Sequence, residues 1–263
     1  MKKLFKDVHA ATGGNIELFV AGGAAIDPKV IEDFEAMGFP MIQGYGMTES
    51  APIIAVNKLD YNKADSVGFA IPGNEVMIVN ADESGVGEIV CRGPSVMLGY
   101  YGDPEETAKV LVDGWLYTGD YGYFDKEGML YVSGRKKNVI VTKNGKNIFP
   151  EEVEYYLTQN SYILEVLVRG VEDERTGDTI VKAEVFPDFE KIAAENGELS
   201  EQEMRALLKT EIDTANDLMP PYKRVKRFDV RKTEFNKTTT RKIKRYTAEN
   251  YIEQSSGGDY DVE

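Results

Sequence analysis

Apolar positions along the first sixty residues change their period in a way that predicts alternating element types. The run Glu17-Leu18-Phe19-Val20-Ala21, ended by Gly22-Gly23, reads as a short buried strand. Asp27 then offers an N-cap with Pro28 at the first helical position, so a helix is expected over Pro28 to Met37. Phe39 to Gln43 is expected to form the next strand. A strand-helix-strand order of this kind implies a parallel pair, and ligands of parallel sheets sit beyond the carboxyl ends of the strands.

After Asn57 the pattern becomes short apolar runs separated by glycines and turn residues. Strands are expected at Glu75–Asn80, Gly87–Arg92, Trp115–Thr118, Gly119–Phe124 and Met129–Ser133, forming a compact antiparallel or barrel-like unit. A second change follows Gly134. A strand at Val139–Thr142, a glycine-bearing loop and a helix from Pro150 that turns Val153, Tyr156 and Leu157 inward come first. Strands at Ile163–Gly170 and Ile180–Pro187, a helix near Ser200–Leu218 and a strand near Val225–Arg231 complete an α+β unit. The domain boundary is expected near Lys137, dividing the chain into residues 1–136, 137–250 and an acidic tail over 251–263 that lacks apolar periodicity and is expected to be disordered. The fold class is thus α/β and α+β, a partial parallel sheet with a small β-barrel-like unit followed by a small α+β domain.

Composition narrows the chemistry. The chain has 263 residues, 42% of them hydrophobic, enough apolar material for a globular fold. With 31 Lys+Arg against 45 Asp+Glu the net charge is -14, which argues against general nucleic-acid binding. One cysteine, Cys91, cannot form an internal disulfide, and one histidine, His9, leaves little for a zinc site. No apolar run approaches the roughly 20 residues of a spanning helix and no secretory signal is visible at the start, so a cytoplasmic location is expected.

Four segments carry candidate chemistry, each with a plainer alternative. Gly22-Gly23-Ala24 lets backbone approach a flat ligand, or is simply a tight strand-to-helix turn. In Gly44-Tyr45-Gly46-Met47-Thr48-Glu49, Tyr45 offers an exposed aromatic plane, and Thr48 and Glu49 suit a phosphate oxygen and Mg²⁺; alternatively this is a capped helix start with a packed tyrosine. Asp120, in Tyr117-Thr118-Gly119-Asp120, places a carboxylate at a glycine-marked strand end where it can accept from a ribose diol; a hairpin turn is the alternative. Eleven of the basic residues crowd between Lys223 and Arg245, either docking onto acidic neighbours or delivering a lysine to an anion.

The order of these segments, followed by Gly134-Arg135-Lys136-Lys137-Asn138 and Thr240-Arg241-Lys242-Ile243-Lys244-Arg245, resembles the AMP-forming acyl-CoA synthetases of the adenylate-forming superfamily. Asn144-Gly145-Lys146-Asn147-Ile148-Phe149-Pro150-Glu151-Glu152 is most similar to the long-chain fatty-acyl branch. The resemblance runs from about Leu4 to Arg245 and corresponds to roughly the C-terminal half of a complete synthetase. It implies an ATP-dependent acid-thiol ligase that converts a fatty acid to acyl-AMP and then to the CoA thioester, with ATP, Mg²⁺ and CoA as cofactor and cosubstrates. Gly22, Gly23 and Ala24 would line the adenine, Tyr45 with Gly46 beside it would stack on the base, Thr48 would contact the α-phosphate and Glu49 would bind Mg²⁺. Asp120 would hold the ribose hydroxyls with Arg135 beside it, Lys137 would be the hinge of a mobile C-terminal domain, and Gly145 would face the pantetheine chain of CoA.

Lys242 matches the lysine that ends the family pattern Pro-x-Thr-x-x-Gly-Lys. A unit charge about 4 Å from developing negative charge is worth on the order of 4 kcal/mol at an effective dielectric near 20. The chain departs from that pattern by having Asn236 for the proline and Arg241 for the glycine. The family's phosphate loop has no counterpart here, so activity is expected to require the missing N-terminal half or a second copy, unless the chain is a non-catalytic adenylate-binding or partner-complementing module. Peripheral membrane contact is compatible with a fatty-acid substrate.

Overall fold

A computed structural model of the chain describes residues 4–239, 241–247, 250 and 260–261. The chain divides into two compact units, Met1–Lys136 and Lys137–Glu263. Among the described residues no helix is long and apolar enough to cross a membrane.

In the first unit a short helix α1 (Lys6–Ala11) precedes strand β1 (Phe19–Ala21), helix α2 (Pro28–Ala36) and strand β2 (Met41–Gly46). Asp27 caps α2 by accepting from the Lys29 amide, and Pro28 stands in its first turn, as the sequence predicts. Strands β1 and β2 pair in parallel, with Ala21 opposite Gln43. Strands β3 (Ile53–Val56) and β4 (Phe69–Ala70) continue the sheet antiparallel in the order β1-β2-β3-β4. Ile31, wholly buried, is the residue that α2 turns inward.

The antiparallel sheet that follows contains β5 (Glu75–Val79), β6 (Gly87–Arg92), β7 (Leu111–Val112), β8 (Trp115–Phe124) and β9 (Leu130–Arg135), with α3 (Pro104–Val110) leading into β7. The two strands expected at Trp115–Thr118 and Gly119–Phe124 are one ten-residue strand. Glycine at position 119 misleads as a stop signal because its left-handed φ of 68° is absorbed as an irregularity inside the strand. The turn instead falls at Asp113-Gly114, whose φ values of 49° and 78° join β7 to β8 as a two-residue hairpin.

In the second unit β10 (Ile140–Val141) and β11 (Asn147–Ile148) form a hairpin before helix α4 (Pro150–Thr158). Strands β12 (Ile163–Glu172) and β13 (Thr179–Pro187) pair antiparallel, β14 (Val225–Val230) joins β13 in parallel, and helices α5 (Phe189–Asn196) and α6 (Glu201–Asp217) lie between them in sequence. Ser200 and Glu203 close a reciprocal capping box at the start of α6. Val153, Leu157, Val166, Val168, Leu208, Ile212 and Phe228 share one buried cluster between helices and sheet. In the tail over 251–263, expected to be disordered, only β15 (Tyr260–Asp261) is described. Its two residues pair with β14, and the rest of the segment for which disorder is expected lies outside the described residues.

Candidate functional site

Three of the sequence-predicted residues meet in the first unit around one carboxylate. Strand β8 bulges against β6, so that Glu88 faces Tyr121 while Val90 faces Tyr117. Thr118, nearly fully buried, fills the irregularity by donating to the Ile89 carbonyl at 2.7 Å and accepting from the Asp120 amide at 3.1 Å. Asp120 therefore lies at this irregularity in the middle of a strand and not, as expected, at its end.

Asp120 is 4% exposed. Its Oδ2 accepts from the Tyr45 hydroxyl at 2.6 Å, and its Oδ1 lies 2.8 Å from Nε of Arg135, the residue opposite it on β9. Burial first, and then the charge of Asp120, raise the Tyr45 pKa above the ordinary phenol value, so the hydroxyl remains a donor. A carboxylate offers about four acceptor positions, so it can serve more than one donor at once. Half of the Arg135 side chain is exposed.

Tyr45 does not stand clear of the fold as an exposed plane. Its ring is partly buried and packs against clusters built on Ile54, Cys91 and Leu116 and on Ala55, Ile89 and Leu130. Gly46 also has a structural reason to be glycine, because a Cβ there would lie 1.8 Å from the Pro52 carbonyl oxygen. Gly22, Gly23 and Ala24 are exposed and follow β1 directly, with Gly23 at a left-handed φ of 80°. A Cβ on Gly22 would meet the Gly44 carbonyl at 3.5 Å, so the segment leaves the sheet beside the one that carries Tyr45. Gly22-Gly23-Ala24 and the last residues of β2, Tyr45 and Gly46, thus lie at the carboxyl ends of adjacent parallel strands.

Thr48, exposed, and Glu49, partly buried, form a single 3-10 turn after β2. Glu49 Oε1 accepts from the Tyr100 hydroxyl at 2.9 Å, and its carbonyl accepts from Met97. Tyr100 escaped the sequence reading because its partner is 51 positions away. Among the described residues no group of three or more His, Cys, Asp or Glu converges on one point. A single steadied carboxylate suits Mg²⁺ held jointly with substrate phosphates, not a cation caged by protein alone.

Gly145 and Lys242 belong to the second unit. Gly145 closes the β10–β11 hairpin at a φ of 72°, donating to the Thr142 carbonyl, with open space where a Cβ would be. Lys242 is exposed on a narrow arm whose sides are tied by the antiparallel bridge Lys237–Ile243. Arg241, in the glycine position of the pattern, adopts a φ of 61° and so keeps the left-handed backbone that glycine would supply.

Most of the basic run around this arm docks onto acidic neighbours. Lys223 pairs with Glu152, Arg227 with Asp173, Arg231 with Glu184, and Lys237 with Glu165 and Glu234. Arg245 pairs with Glu154 and lies 3.6 Å from Glu151.

Comparison with known proteins identifies the family. Residues 1–101 match the model of the AMP-binding enzyme family, and residues 137–255 that of the AMP-binding enzyme C-terminal domain. A long-chain-fatty-acid–CoA ligase of Bacillus subtilis (strain 168) is 37% identical over 239 residues, covering 88% of this chain and 40% of the relative. An indoleacetate–CoA ligase of Aromatoleum aromaticum is 40% identical over 180 residues, covering 66% of this chain and 35% of the relative. The solved o-succinylbenzoate CoA synthetase of Bacillus subtilis in complex with AMP superposes with a TM-score of 0.75 at 26% identity, covering 95% of this chain and 50% of that one. The same enzyme has also been solved with ATP and a magnesium ion. The chain therefore spans half or less of the length of the relatives it matches.

Proposed function

This chain belongs to the AMP-binding enzyme family, and we propose that it is the C-terminal portion of an AMP-forming acyl-CoA synthetase acting on a fatty acid, by preference a long-chain one. The observation that carries the reading is the Tyr45–Asp120–Arg135 cluster: a buried carboxylate with a guanidinium on one oxygen and a tyrosine hydroxyl on the other, which the reading assigns to the ribose hydroxyls. In the proposed reaction a carboxylate oxygen of the acid attacks the α-phosphorus of ATP, pyrophosphate leaves, and the thiol sulfur of CoA then attacks the acyl carbon and expels AMP.

In this chain Asp120 and Arg135 orient the ribose, Tyr45 flanks the base beside Gly22, Gly23 and Ala24, and Thr48 donates to the α-phosphate. Glu49, steadied by Tyr100, is the residue to hold Mg²⁺, which when bound would offset phosphate charge. Lys242 neutralises the acyl carboxylate and α-phosphate during adenylation. Its withdrawal about a hinge at Lys137 then brings the Gly145 turn to the CoA pantetheine. The fatty-acid preference is supported by the likeness to the Bacillus subtilis long-chain-fatty-acid–CoA ligase, and the likeness to an indoleacetate–CoA ligase makes aromatic acids the competing class.

The test pairs this chain with the upstream part of a full-length relative and supplies Mg-ATP, CoA and a series of fatty and aromatic acids. AMP and pyrophosphate release that depends on the acid and falls at least a hundredfold in Lys242→Ala is expected. The second reading is an adenylate-binding module without turnover. AMP binding by calorimetry that Asp120→Ala abolishes and Lys242→Ala leaves intact, with no acid-dependent product under any pairing, would favour it.

A further inference from the structure

Beyond Lys242 itself, the arm that carries it has a fastening with no counterpart in the sequence patterns. Asn250 is 0% exposed. Its side-chain Oδ1 accepts from the Asn236 amide at 2.7 Å, and its Nδ2 donates to the carbonyls of Asn236 at 3.0 Å and Lys244 at 2.8 Å. One amide therefore spans both sides of the arm at its base, eight residues from Lys242 in sequence. The Lys244 amide in turn donates to the Asn236 carbonyl at 2.9 Å, closing the same pair of strands.

Nearer Lys242 the two sides of the arm are joined to one another. Thr238 donates its amide to the Lys242 carbonyl at 2.8 Å, and the Lys242 amide donates to Thr238 Oγ1 at 3.2 Å. Asn250 is itself held through its carbonyl, which accepts from Arg231 Nη1 at 3.1 Å. Arg231 also reaches Glu184, a fully buried residue of β13. A continuous polar path thus runs from the sheet through Arg231 and Asn250 to the backbone flanking Lys242.

We propose that Asn250 is a positioning residue that fixes the Lys242 arm in the geometry adenylation needs; the catalytic meaning rests on the functional reading above. A lysine on a short loop must be held to within about 1 Å to act on a reacting phosphate. A buried amide whose partners are all backbone groups of that loop supplies such restraint, and breaking it leaves buried carbonyls unpaired. Asparagine suits the position because it both accepts and donates. Aspartate has the same shape but would set a carboxylate against two carbonyl oxygens.

Amide hydrogen exchange on the whole chain tests the restraint without any activity. In Asn250→Ala and Asn250→Asp the amides of Asn236, Lys242 and Lys244 should exchange at least tenfold faster, while those of Val168, Val185 and Phe228 in the sheet keep their rates. Unchanged exchange in the arm, or acceleration spread through the sheet, overturns the proposal. The catalytic half uses the chain paired with an upstream part. Adenylation should fall at least tenfold with the KM for ATP unaltered, while thioester formation from preformed acyl-AMP stays within about twofold. Equal loss of both half-reactions overturns the positioning role. If the unsubstituted chain adenylates nothing, the functional reading fails and the exchange result still decides whether Asn250 restrains the arm.

Discussion

At the scale of single residues, partners far apart in sequence decide what a side chain can do. Asp120 was legible as a candidate because of its Thr-Gly-Asp context. The Tyr45 hydroxyl on its Oδ2 was not legible, since 75 positions separate the two. Arg241 shows the opposite case: the residue type departs from the pattern, yet the backbone keeps the conformation that the pattern's glycine implies. Glu154, on α4, has no role that the sequence pattern announces. It is enclosed, accepting from the Val168 amide at 2.7 Å and from Arg245, with Glu151 nearby. Burial pushes its carboxyl up to about 7, outweighing the opposing pull of Arg245 and of the Val168 hydrogen bond. The native state therefore holds this proton more tightly than the unfolded chain. Its contribution is full below pH 4.5, falls as pH rises from there toward 7, and is level above. Across that window the second unit should lose on the order of 3 kcal/mol from this group. Glu154→Gln should flatten the decline, seen as pH-independent exchange protection of β12 amides between pH 5 and 7.5. A carboxyl ¹³C resonance of Glu154 that titrates near 4.5 would refute it.

At the scale of elements, the strands and helices whose apolar period ran uninterrupted were legible, and those shaped by an internal irregularity were not. Helix α2 begins where Asp27 and Pro28 predict, and β6 covers the expected residues, because capping and continuous burial act locally. Strand β8 was divided in the sequence reading, since the left-handed glycine at 119 is indistinguishable from a turn glycine until its β6 and β9 partners are known. Short pieces such as β4 and β7 owe their existence to pairing alone and carry no period of their own. Gly46 illustrates how a motif glycine divides between fold and function. It was assigned beside the nucleotide, yet its absent side chain makes room for the β3 approach at Pro52 and Ile53. Gly46→Ala should therefore cost about 3 kcal/mol or more in urea unfolding, because the obstacle is backbone that cannot swing aside. Full stability with a selective loss of AMP affinity would instead assign the glycine to the ligand.

At the scale of the whole molecule, the division into two units near Lys137 coincides with the change of hydrophobic pattern and with the separate family matches on either side of it. What no local pattern announces is the condition of the first unit's sheet. Strand β1 pairs with β2 on one side, and among the described residues no strand pairs with its other side. Val20 on that strand is 61% exposed, and Leu4 and Val8 nearby in sequence are exposed as well. A short apolar edge with open backbone groups is a template for another strand. Relatives of this chain are more than twice its length in the case of the Bacillus subtilis ligase, so sequence that could cover such an edge exists within the family. Studied by itself, this chain should therefore self-associate through β1, appearing in sedimentation velocity as dimers and larger species whose fraction grows with concentration. Val20→Lys sets a charge on the exposed face of the edge without touching the β2 pairing, and should shift the distribution to monomer while far-ultraviolet circular dichroism stays the same. If the unsubstituted chain sediments as one monomeric species at every concentration, the edge is not the adhesive surface argued here. If Val20→Lys leaves the oligomers intact, association runs through another face, and the exposed apolar residues of α1 become the next substitution to make.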